Sequence, residues 1–137
     1  MPCGSLIKQL HDRIEKSANN ALRANDLTLM QVGVLMELRG ADRQQRSMKE
    51  LERTFGVAQS TVAGIVSRLE QKGFVEALVD ADDKRVKLVH LTDVGAACSV
   101  DAAEYMSASE ERLLEGFSQG ERELFAELLA RAADNMK

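Results

Sequence analysis

Residues 47–91 read SMKELERTFGVAQSTVAGIVSRLEQKGFVEALVDADDKRVKLVHL, and the fold is decided there. Ser47 and Glu50 have the spacing of a capping box, in which the Ser47 oxygen takes the Glu50 amide and the Glu50 side chain reaches back. A short helix should follow with Met48, Leu51 and Phe55 turned inward, and Gly56 stops it because a left-handed residue costs glycine little. A second helix is expected from about Gln59 to Lys72, with Val62, Ile65, Val66 and Leu69 on its apolar face and Gly73 at its end. Next come two partly alternating, β-branched runs, Phe74–Val79 and Val86–Leu91, around the charged hexapeptide Asp80–Arg85, the pattern of a β-hairpin.

Two short helices joined by a tight glycine-containing turn, the second amphipathic, outline a helix-turn-helix. With a hairpin after it, the unit is a winged helix, which the surrounding signals place over residues 28–92. Upstream, Leu6, Leu10, Ile14, Ala18, Ala21 and Leu22 recur at helical spacing, predicting an amphipathic helix from Leu6 to about Arg23 that Asn25-Asp26 breaks. Thr28 and Gln31 form another capping box, with Leu27 and Val32 placed as a hydrophobic staple. The helix they open, to about Arg39, is apolar almost all round and should be buried on several sides. Gly40–Arg46 reads as a polar loop. Downstream, Thr92 can cap a long helix through about Glu115, and Ser118–Glu121 is a capping box for a last helix carrying Leu124, Phe125, Leu128, Leu129, Ala132 and Met136 on one face.

The expected class is mainly α with a small β-hairpin wing: a winged helix-turn-helix flanked by helical regions, residues 1–27 and 93–137. The apolar faces of those flanking helices exceed what the winged helix can cover. Either they pack on each other within one chain, or they form the seam of a homodimer, the commonest closed oligomer and the reading favoured here.

At 137 residues, 45% apolar and 29% charged, the chain has the size and composition of one ordinary globular domain. No apolar run is long enough to span a membrane. Charges stand where an export signal needs an apolar segment, so a cytoplasmic location with no membrane partner is expected. Cys3 and Cys98 make neither a disulfide framework nor a C-x-x-C metal or redox motif. His11 and His90 stand alone, and nucleophile-elbow, phosphate-loop and metal-cluster motifs are missing, so neither catalytic residues nor a metal or other cofactor is expected. The net charge of −4 disfavours a nucleic-acid partner, but residues 43–87 hold nine basic groups against seven acidic while the remainder is acidic. The centre is electrostatically unlike the ends.

Over nearly its whole length the chain resembles the MarR family of bacterial winged-helix regulators. The resemblance is carried by Leu27-Thr28 with Gln31, Leu35 and Leu38; by Ser60-Thr61-Val62 through Arg68-Leu69-Glu70, Lys72-Gly73 and Val75; and by Asp83-Lys84-Arg85 followed by Leu91-Thr92 and Gly95. It implies a homodimer held by the first and last helices. It also implies that each winged helix enters one half-site of a pseudo-palindromic double-stranded operator, and that a small ligand or an oxidant lowers affinity, most often through repression lifted by the signal. Relatives often carry arginine where this chain has Asp82, a basic or polar residue in place of Gly64, and a capping serine in place of Ala58.

The residue chemistry fits that role. Gln59, Ser60 and Thr61 offer short polar groups at the start of the second helix, where base edges and phosphates are met. Their other reading is that Ser60 and Thr61 only cap first-turn amides. Arg68 reaches a phosphate, or else pairs internally with Asp80 or Asp83. Lys84 and Arg85 lie at the wing tip, where a long cation suits the narrow, electronegative minor groove, and the resemblance implies that Arg85 enters it. The alternative is a solvated charged turn. Asp83 is expected to orient Arg85 rather than to touch DNA.

The resemblance also implies a small aromatic effector in a cleft between the winged helix and the flanking helices. Met30, Met36, Tyr105 and Met106 lie near that junction in sequence, though methionine at helical positions is commonly core filler. Cys3 precedes the first helix with no cation beside it to lower its pKa, which speaks against a thiol switch, and Cys98 reads as a buried small apolar residue. His90 is most simply a strand residue. The rival reading from another class is a winged helix serving as a protein-interaction module without DNA binding, which has no use for Lys84-Arg85 together with Gln59, Ser60 and Thr61.

Overall fold

The computed structural model describes residues 1–22 and 26–137, without the side chains of Asn19 and Ala21. The expected helix end at Arg23, the break at Asn25 and the packing of Ala21 lie outside the described residues. The chain forms two compact units, Met1–Tyr105 and Met106–Lys137.

In the first unit, α1 (Cys3–Leu22) is followed by α2 (Leu29–Arg39), a single 3-10 turn (Asp42–Gln44), β1 (Gln45–Ser47), α3 (Met48–Phe55), α4 (Gln59–Gln71), β2 (Val75–Val79), β3 (Lys87–Leu91) and the larger part of α5 (Asp93–Leu113). All three capping boxes form: Thr28 with Gln31, Ser47 with Glu50, and Ser118 with Glu121. Each satisfies two amides that a helix start leaves without partners. Gly56 and Gly73, at φ 63° and 77°, turn the chain out of α3 and α4 in the left-handed region.

The core follows the apolar periodicity. Leu35 and Leu38 of α2, Leu51 of α3, Val62 and Leu69 of α4, and Val89 and Leu91 of β3 are all buried in one cluster, with Leu27 and Val32 of the staple among them. Phe55, Ile65, Met48 and Met36 pack at its edge. α2 is less enclosed than its composition implies, for Met30 is exposed. Gly95 lets the start of α5 approach the chain between α4 and β2, where Thr92 Oγ1 donates to the Gly73 carbonyl at 2.6 Å and accepts the Gly95 amide at 3.1 Å.

The structure corrects the expected boundaries in three places. First, the wing is not an isolated hairpin. Gln45–Ser47, expected within a loop, forms β1 and pairs antiparallel with β3, giving a three-stranded sheet of order β1-β3-β2. The register sets Val89 opposite Arg46 and Ala77, and His90 opposite Gln45 and Glu76. Central position and alternation bury Val89 and Leu91 on one face of β3. Second, α1 begins at Cys3 rather than Leu6, so Cys3 belongs to the helix instead of preceding it. Third, α5 ends at Leu113, two residues short of the expected end.

In the second unit, α6 (Gln119–Asn135) follows a turn in which Phe117 stacks on Phe125 with centroids 5.6 Å apart. Arg122 pairs there with Glu111 at 3.3 Å. Leu124, Leu128 and Leu129 of α6 remain exposed, as do Leu6 and Ile7 of α1 in the first unit. Among the described residues, no helix is long and apolar enough to cross a membrane.

Candidate nucleic-acid interface

Burial of Val62, Val66 and Leu69 fixes which side of α4 faces outward. Gln59, Ser60 and Thr61 occupy its exposed first turn. Ala58 stands at the N-cap and supplies no side-chain hydrogen bond, so capping is left to the backbone: its carbonyl accepts the Thr61 and Val62 amides at 3.0 and 3.2 Å. Among the described residues, the side chains of Ser60 and Thr61 accept no first-turn amide and Gln59 has no partner. The capping alternative for Ser60 and Thr61 is therefore not realised. The first turn presents free amides and uncommitted polar side chains together, the arrangement that receives phosphate oxygens and base edges.

Two ties fix α4 and the sheet against α2. At the far end of α4, Lys72 donates to Gln31 Oε1 at 3.2 Å and to the Asp26 carbonyl, and its ammonium lies 3.7 Å from the Asp26 carboxylate. Gln31 is buried, 4% exposed, and the same Oε1 accepts the Thr28 amide. One side chain thus closes the α2 cap and anchors the end of α4. Arg46 of β1 pairs with Glu37 of α2 at 3.3 Å. Sequence patterning did not reveal either tie. The available signal was a glutamine at an otherwise apolar helix position, which burial obliges to find partners.

The wing tip is built by carboxylates. Asp80 Oδ1 accepts the Asp82 amide at 2.8 Å and the Asp83 amide at 3.4 Å, while the Asp80 and Val86 backbones close the loop at its base. Asp83 Oδ1 accepts both the Arg85 amide at 3.1 Å and Arg85 Nε at 3.0 Å, and Oδ2 accepts Arg85 Nη2 at 3.1 Å. The Arg85 guanidinium beside it holds the Asp83 carboxyl below the usual range, and the carboxylate in turn raises Arg85. Arg85 remains 90% exposed, so its outer edge is open to a ligand. Lys84 is exposed next to it, and has no partner among the described residues.

Arg68 is exposed and forms no ion pair among the described residues; Asp80 and Asp83, its expected internal partners, are occupied by the wing turn. It borders a polar cleft of about 430 Å³ lined also by Asp26, Thr28, Gln31, Gln71 and Lys72. The candidate effector residues do not line this cleft. Met30 and Met106 are exposed, Met36 packs against the core, and Tyr105 meets the Ser17 hydroxyl at 3.1 Å.

Cys98 is half-buried against the core, and burial followed by the Asp101 charge pushes its thiol up, the direction of an unreactive cysteine. Cys3 is exposed. His90 sits on β3 with Nδ1 buried and unpartnered among the described residues, and His11 lies exposed beside Asp12 and Glu15.

A family model described as the MarR family matches residues 25–86, which contain α2 through the wing tip. The chain is 34% identical over 97 residues to the multiple antibiotic resistance protein MarR of Salmonella typhimurium, covering 71% of this chain and 66% of the relative. The matched regions span between 53% and 66% of the length of such curated relatives. Among solved structures, a MarR mutant from Escherichia coli complexed with operator DNA superimposes with a TM-score of 0.86 at 28% identity, covering 96% of this chain and 94% of that one. BpsR of Bordetella bronchiseptica, whose DNA binding is regulated by 6-hydroxynicotinic acid, superimposes with a TM-score of 0.85 at 25% identity, covering 97% and 94%.

Proposed function

The chain belongs to the MarR family, and from that premise we propose that it binds double-stranded DNA sequence-specifically as a cytoplasmic homodimer and regulates transcription, most simply as a repressor. One observation carries the reading: the first turn of α4 presents uncommitted hydrogen-bonding groups to solvent, and the wing tip presents the exposed cations Lys84 and Arg85, the latter oriented by Asp83. α4 is then the recognition helix. Gln59, Ser60 and Thr61 meet base edges in the major groove, Arg68 meets the phosphate backbone, and Lys84 and Arg85 enter the minor groove. The likeness to a MarR structure holding operator DNA supports this assignment.

The exposed leucines of α1 and α6 support the dimer, since apolar stripes of that kind mark interaction surfaces. The regions 1–27 and 93–137 supply its seam, and residues 28–92 read the DNA. Two copies related by a two-fold axis would read an inverted repeat with half-sites about one helical turn apart. A small aromatic effector that loosens DNA binding completes the proposal, supported by the regulation of BpsR; Met30, Met36, Tyr105 and Met106 are the side chains to vary for it.

The test is a salt series of duplex titrations on the wild type and Arg85→Ala. A groove contact predicts a loss of about 1–3 kcal/mol and a salt slope shallower by about one. Unchanged affinity and slope would favour a protein-interaction module instead.

A further inference from the structure

We propose that Gly64 marks the point where α4 lies closest to the floor of the major groove, so that its missing side chain sets how deeply the helix enters. The proposal rests on the DNA-binding reading above. A glycine in a helix interior destabilises that helix relative to alanine, so its presence asks for a reason. Inside a protein the reason is a left-handed backbone or a close neighbour. Gly56, Gly73 and Gly116 have the first. Gly33 and Gly95 have the second: a Cβ at Gly33 would lie 3.2 Å from the Phe55 ring, and one at Gly95 would overlap the Phe74 carbonyl. Gly64 has neither, for its backbone is helical and a Cβ there would meet nothing within 4 Å.

Its position supplies another reason. With Val62, Val66 and Leu69 buried, a rotation of about 100° per residue puts Ser60, Gly64, Ser67 and Gln71 on the outermost line of α4. All four are exposed. Gly64 lies one turn beyond Ser60 and one turn before Arg68, and neither of those side chains has a partner among the described residues. A helix with its side chains is nearly as wide as the major groove, so the atoms on its outermost line determine how far it sinks. A methyl group at Gly64 would hold the axis away from the base edges and lengthen the hydrogen bonds made from Ser60 and Thr61, which weaken beyond about 3.2 Å.

The inference predicts opposite signs for stability and binding. The full chain is compared as wild type and Gly64→Ala. The probes are the duplex that the wild type selects from a random library and a scrambled duplex of equal length. Gly64→Ala should melt at a higher temperature than the wild type yet bind the selected duplex roughly tenfold more weakly. Its affinity for the scrambled duplex should be unchanged. Equal or tighter binding of the selected duplex by Gly64→Ala overturns the proposal, as does an equal loss on both duplexes. Should the wild type select no duplex, the DNA-binding reading fails and takes this proposal with it; a selected duplex bound equally by both proteins removes only the role of Gly64.

Discussion

Arg85 is gripped by the carboxylate two residues before it: Asp83 accepts its Nε at 3.0 Å, its Nη2 at 3.1 Å and its backbone amide at 3.1 Å. The bidentate form fixes the plane of the guanidinium at the wing tip without burying it. An exposed ion pair of this sort adds little to folding, so its value lies in orientation. A long side chain ordered in advance loses less entropy when it binds.

If Asp83 acts on DNA only through Arg85, the two residues must be coupled. Asp83→Ala should weaken binding by less than Arg85→Ala does, and the double variant should bind no more weakly than Arg85→Ala alone. Equilibrium titrations of the four proteins on one duplex read this directly. Additive losses would mean that Asp83 has a separate function.

The capping box of α3 predicts a share of the acid sensitivity. The Ser47 amide, donating to Glu50 at 3.0 Å, holds the Glu50 carboxyl below its usual range. A folded-state pKa under the unfolded value of about 4.3 contributes stability that is complete above that value and is lost as pH falls through the depressed one. Glu50→Gln keeps the accepting oxygen and removes the titration. Its melting temperature should therefore fall less steeply than the wild type's between about pH 5 and pH 3. Identical acid limbs would contradict the assignment. Ser47→Ala, which removes the other half of the box, should cost about 1 kcal/mol at neutral pH.

Gly95 is needed for a different reason from the turn glycines. A Cβ there would overlap the Phe74 carbonyl oxygen, lie 2.8 Å from its carbon and 2.9 Å from a Leu91 methyl. Backbone cannot yield as a flexible side chain does, so Gly95→Ala should destabilise the chain by about 3 kcal/mol, at the upper end for overpacking. Urea denaturation measures it. A loss below about 1 kcal/mol would show that α5 can shift without consequence.

The apolar stripe of α6 tests the assembly. Leu124→Glu with Leu128→Glu places charges where the proposed seam needs apolar surface, on residues that are exposed in the chain. Sedimentation at micromolar concentration should give twice the chain mass for the wild type and the single-chain mass for the variant. A wild type that sediments as a single chain would defeat the homodimer.

Much of this was legible in the sequence because it rests on local rules. Three capping boxes, the left-handed glycines and the alternation that buries Val89 and Leu91 each follow from residue type and spacing. β1 was not legible. It is three residues long and follows Arg43 and Gln44, both held at positive φ without being glycine, so no periodic pattern announces it. The tie from Lys72 to Gln31 joins residues 41 positions apart, and among the described residues Asp80 bonds within its own turn while Arg68 forms no ion pair. Of the candidate interface, the residue types at the start of α4 and at the wing, and the pairing of Asp83 with Arg85, were legible in the sequence, whereas the absence of partners for Gln59, Arg68 and Lys84 among the described residues is visible only in three dimensions.

The most direct measurement is selection of bound duplexes from a random DNA library by the purified protein, followed by sequencing. The DNA-binding homodimer should recover an inverted repeat whose half-sites lie about one helical turn apart, each read by one copy of α4. Failure to enrich any sequence at low salt, where electrostatic attraction to phosphate is strongest, would contradict it.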